Sequence, residues 1–125
     1  MTNSKYTSPV DWYVGSYLLR FIEIEAKNND NPDAMFNTWE NTVIVKANSF
    51  EEAYDKVLAI ANRETEPYRG GAKGIPVQWQ FEGITDLLPI YEPLEDGAEI
   101  MWTDHGNRKL KTLRRWSKNL DELKD

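Results

Sequence analysis

Apolar and polar positions along the chain follow two periods, and only one early stretch keeps the helical one. Phe50, Ala53, Tyr54, Val57, Ile60 and Ala61 recur at helical spacing, while Glu52, Asp55, Lys56 and Asn62 fall outside their stripe. The spacing predicts a helix over 50–63 with one face to bury. Ser49 is a favoured N-cap, and Glu52, three residues on, is placed to reach back to the Ser49 backbone N–H and complete a capping box. Glu51, Glu52 and Asp55 complement the positive end of the helix dipole and Arg63 the negative end, so helix-end electrostatics account for these carboxylates without a binding site.

The remaining segments read as strands. Residues 11–25 have strand composition, and their first half is apolar on both alternating sets: Trp12, Val14 and Leu18 on one, Tyr13, Tyr17 and Leu19 on the other. A strand wet on one face alternates more cleanly, so either the C-terminal tail or a second subunit is expected to cover the other face. Residues 26–37 form a polar loop, and 38–47 a second strand centred on Val43, Ile44 and Val45. Residues 75–83 alternate Ile75, Val77, Trp79 and Phe81 against Gln78, Gln80 and Glu82, which predicts a half-buried third strand. A fourth is expected over 84–91, with Pro89 marking an edge or bulge, and a fifth over 98–103 after the turn at Asp96 and Gly97. From 107 to 124, Leu110, Leu113, Trp116, Leu120 and Leu123 predict a second amphipathic helix. The fold class that follows is α+β: an antiparallel sheet of about five strands, one central helix packed on a face and a C-terminal helix, in the order β-β-α-β-β-β-α.

A chain of 125 residues fits one domain, with its core over 11–103 and a helical extension over 107–124. It has no cysteine, which removes disulfides, thiolate nucleophiles and thiolate metal ligands. No apolar run approaches the ~20 residues that span a bilayer, and the first residues lack the apolar centre of a signal peptide, so no membrane contact and a cytoplasmic location are expected. The formal charge of −6 is uneven. Residues 1–103 carry eight Lys/Arg against seventeen Asp/Glu (−9), and 104–125 carry seven against four (+3). An acidic body repels phosphate, so any nucleic-acid contact is left to the basic patch of Arg108, Lys111, Arg114, Arg115 and Lys118.

Catalytic chemistry finds few groups to use. His105 is the sole histidine, so neither a zinc pair nor a well-supported Ser-His-Asp set is present. An EF-hand begun at Asn28 would put Asp33 where glycine is required and Trp39 where the bidentate glutamate belongs. The glycines of 69–74 follow a helix and lack the Gly-Lys-Ser/Thr order of a phosphate loop. Glu23, Glu40, Glu82, Asp86 and Glu99 are the strand carboxylates open to a magnesium-dependent hydrolase, but their spacing does not force convergence. No catalytic residue, metal site or cofactor is assigned. Five tryptophans and six tyrosines are many for this length, and aromatic side chains dominate interfaces as well as cores. Trp12, Tyr13 and Tyr17 on the first strand, with Leu113, Trp116 and Leu120 on the tail, are the interface candidates.

Several ordered segments carry a resemblance. Trp12-Tyr13, Ala47 followed by Ser49-Phe-Glu-Glu-Ala53, the run from Val77 to Leu87 and Leu94-Glu-Asp96-Gly97-Ala-Glu99-Ile100 together resemble the small bacterial family catalogued as domain of unknown function 4288. The resemblance covers 11–103 and implies no activity. The glycine-rich loop at 69–74 and the tail beyond Thr103 depart from its pattern, which makes the tail the place for anything particular to this protein. The function expected is that of a small non-catalytic interaction module, with an unknown protein partner or itself as a homodimer. A nucleic-acid-associated regulator using the basic helix is the alternative, and the metal-dependent hydrolase a weaker one.

Overall fold

A computed structural model describes residues 4–124. Its sheet contains β1 (Trp12–Glu23), β2 (Thr38–Lys46), β3 (Tyr68–Gly70) and β4 (Ile75–Pro89), all antiparallel, in the order β2-β1-β4-β3. The helix α1 (Phe50–Arg63) packs on one face. Two short helices, α2 (Leu110–Trp116) and α3 (Leu120–Leu123), end the chain.

The helix begins where its residues predict. Ser49 has extended backbone, and its Oγ accepts from the Glu52 N–H at 3.0 Å. The Glu52 carboxylate reaches one residue further than expected, accepting from the Asn48 N–H at 3.2 Å. Ala53, Val57 and Ala61 are the fully buried line of α1. They meet Tyr13, Tyr17, Leu19, Val45 and Ala47 of the sheet in one core.

Four strands stand where about five were expected, and the reason lies in β4. The segments predicted as strands three and four are one continuous strand of 15 residues. Its pairing with β1 slips between Ser16 and Tyr17 and again between Leu18 and Leu19, so Thr85 and Glu82 are extra residues on β4. Each bulge resets the alternation. The helix-facing positions are therefore Val77, Trp79, Phe81, Ile84 and Leu87, opposite Glu23, Phe21, Leu19, Tyr17 and Gly15, and the change of spacing after Phe81 imitates a strand break. The predicted fifth strand is absent, since residues 98–103 form no ladder and the Glu99 N–H donates instead to a Glu92 carboxylate oxygen at 2.7 Å. The short β3, hidden among the glycines after α1, pairs with the start of β4. The C-terminal helix expected over 107–124 is divided, because Ser117 has extended backbone (ψ 135°) and Asn119 caps a new helix.

The sheet is curled. Side chains of the flanking strands meet across β1, the Thr85 hydroxyl on β4 donating to a Glu40 carboxylate oxygen on β2 at 2.6 Å, and the Ser16 hydroxyl on β1 lies 2.8 Å from that of Thr42. Val14, Ser16 and Ile22, on the face of β1 opposite the helix, are buried within a single chain.

Candidate functional site

The sheet outruns its helix. Fourteen helical residues span about 21 Å, whereas a strand of twelve spans about 40 Å. Past the C-terminal end of α1 the helix-facing side of the sheet is left partly open, and its residues there are aromatic. Leu19 pairs with Trp39 on one side, and Phe21 pairs with Trp79 on the other. The two indoles stand nearly perpendicular, with centroids 6.0 Å apart and planes at 83°, and Phe21 meets Trp79 edge to face at 5.2 Å. Leu19, Trp39, Asn41, Trp79 and Glu64 line a cavity of about 270 Å³. Glu64 is the C-cap of α1, so the end of the helix places this acidic residue at the cavity. Trp39 is 57% exposed, and the Glu64 carboxylate has no hydrogen bond or ion pair among the described residues.

Elsewhere in the chain a similar set of groups is already occupied. Arg20 lies over the Phe36 ring at 4.4 Å, its Nε donates to Glu82 at 3.0 Å and its NH2 group to Gln80 at 3.1 Å. Its remaining guanidinium nitrogen donates to the Asn29 carbonyl at 2.6 Å. An aromatic face, a carboxylate and an amide oxygen thus hold one guanidinium in place.

The expected interface residues are divided by the fold. Tyr13 and Tyr17 are 0% and 3% exposed, beneath α1, and cannot meet a partner. Their candidacy rests on both sets of β1 being apolar, but most of both sets is buried within one chain. Trp12 is half-buried at the start of β1. Leu113, Trp116 and Leu120 are 45%, 45% and 68% exposed, and neither α2 nor α3 buries a residue. The tail therefore does not cover the sheet, contrary to one of the two expectations for it. Arg108, Lys111, Arg114, Arg115 and Lys118 are all exposed and form no ion pair among the described residues. His105 stacks at a tilt on Trp116, with centroids 5.1 Å apart.

Three of the five candidate carboxylates have structural partners: Glu82 is held by Arg20, Glu40 accepts from Thr85, and an Asp86 oxygen accepts from the Leu87 N–H at 3.0 Å, while Glu23 ends β1 and Glu99 lies outside the strands. Among the described residues no group of three or more His, Asp or Glu is placed to hold a metal ion. No helix there is long and apolar enough to cross a membrane.

Trp39, Asn41 and Glu64 are not among the candidate residues of the sequence, and Trp79 stands there only on the apolar side of the third strand. The available signal was the mismatch in length between a 14-residue helix and the strands beneath it.

The fold and this open end define a small α+β domain with an aromatic pocket and an uncovered C-terminal extension. The chain belongs to the family described as Domain of unknown function (DUF4288), which matches residues 12–102, as the resemblance implied. All four strands and α1 lie inside the match, and α2 and α3 lie outside it. No curated protein and no solved structure matches the chain.

Proposed function

We propose that the protein is a small, non-catalytic, cytoplasmic interaction module that self-associates through its C-terminal extension. The observation that carries this reading is the state of that extension. Leu110, Leu113, Trp116, Leu120 and Leu123 are all exposed, and helices of seven and four residues do not persist in water on their own propensity. An apolar stripe left exposed, with only Trp116 stacked on the neighbouring His105, is a surface for another chain. The extension's charge of +3 suits the −9 of residues 1–103, so a second copy supplies the complement. The structural partners of Glu40, Glu82 and Asp86 support the non-catalytic part of the reading.

Sedimentation velocity at micromolar concentrations tests it. The full chain is expected at twice 14.5 kDa, and Leu113→Asp with Trp116→Asp at 14.5 kDa. A concentration-independent monomer would overturn self-association. The cations of the patch, exposed and without an ion pair among the described residues, favour the nucleic-acid alternative. Tight, steeply salt-dependent binding of DNA or RNA, lost on replacing Arg114, Arg115 and Lys118 together, would put that alternative in its place.

A further inference from the structure

We infer that the cavity at the open end of the sheet is a guanidinium-binding site, and that its occupant is Arg114 from the α2 of a second copy. This deepens the self-association reading and rests on it. Two tryptophans, Glu64 and Asn41 line the cavity together. Tryptophan is the strongest aromatic partner of a cation, and arginine is the cation most often found on it. A guanidinium also brings a fork of donors that a carboxylate and an amide oxygen satisfy together, which an alkylated ammonium lacks. Its volume, about 270 Å³, lies below the roughly 300 Å³ at which small-molecule sites begin, so it suits one side chain better than a cofactor.

Elsewhere in the chain this set of groups holds an arginine. Arg20 is held by Phe36, Glu82 and Gln80, that is, by an aromatic face, a carboxylate and an amide. The cavity repeats that set with Trp39 and Trp79, Glu64 and Asn41, and its carboxylate has no partner among the described residues.

The choice of Arg114 follows from the geometry of α2. Successive helical residues turn by about 100°, so Leu110, Leu113 and Trp116 form one face and Arg114 borders it next to Leu110, while Lys111 and Arg115 point further away. Arg114 can enter the pocket as the apolar face of α2 lies along the exposed indole of Trp39. Each copy carries one pocket and one extension, so reciprocal exchange closes a two-fold dimer and leaves no site empty.

Charge exchange in the full chain tests this. Glu64 and Arg114 are both exposed, so Glu64→Arg and Arg114→Glu are expected to fold as the parent does, checked by circular dichroism and urea melts. Each variant alone is expected to sediment as a monomer where the parent is a dimer. Mixed in equal amounts they are expected to dimerise, because in the mixed pair one pocket keeps Glu64 against Arg114 and the other presents the reversed pair. Trp39→Ala is expected to raise the dimer dissociation constant about thirtyfold, the scale of an interface hot spot. Single variants that stay dimeric, or a mixture that stays monomeric, would overturn the pocket while the parent's dimer left self-association standing. A parent that is monomeric at every concentration would overturn both.

Discussion

Gly15 is where helix and sheet come closest. A Cβ on it would stand 2.7 Å from one Val57 methyl and 3.3 Å from the other, and both residues lie in the core between β1 and α1. Gly15→Ala is therefore expected to cost about 1–3 kcal/mol by overpacking. Adding Val57→Ala should return part of that loss, because the two sites share one contact. Urea melts of the two single variants and the double variant check both statements, and simple additivity would mean that the helix sits further from β1. At the start of the same helix, Ser49→Ala is expected to cost about 1 kcal/mol, since the Glu52 N–H loses its acceptor. Tyr13→Asp, which an exposed aromatic would tolerate, is expected to abolish cooperative unfolding, because it places an unpaired carboxylate in the core. The cap was legible in the sequence because every group involved lies within four residues. The tightness at Gly15 was not, because it exists only once β1 and α1 have met.

At the scale of elements, legibility followed the regularity of the pattern. The stripe of α1 and the alternation of Val77, Trp79 and Phe81 were readable because one period holds throughout each. The continuity of β4 was not, since the bulges at Glu82 and Thr85 change the spacing of helix-facing residues from two to three. Those two extra residues are exposed, and each makes a contact the curled sheet uses, Glu82 with Arg20 and Thr85 with Glu40. Their worth is limited by solvent. The Glu82 side chain is 42% exposed, so Glu82→Ala is expected to lower stability by less than about 1 kcal/mol. A chemical denaturation curve shifted by much more would show that the ion pair itself holds the bulge. The tail misled for a different reason. Leucine spacing continues through 110–123, but Ser117 breaks the backbone and Asn119 starts a fresh capping box with Glu122.

For the whole molecule, the division is between a folded body and an extension that adds nothing to its core. Removing 107–125 is expected to change the body's unfolding free energy by no more than about 0.5 kcal/mol under conditions where the chain is monomeric, because none of the described residues lost is buried. The acidic body and basic tail were readable from the charges alone. The pocket was not, because Leu19, Trp39, Asn41, Glu64 and Trp79 come from three strands and the end of α1, which only the folded sheet brings together.

Hydrogen exchange on the full chain, measured across a range of protein concentration, tests the central claim most directly. A seven-residue helix that buries nothing cannot protect its own amides. The expected result is rapid exchange over Leu110–Trp116 at low concentration, with protection rising as concentration rises, while the amides of β1 and α1 stay protected throughout. Amides of α2 that stay unprotected at every concentration, beside a protected body, would contradict the account.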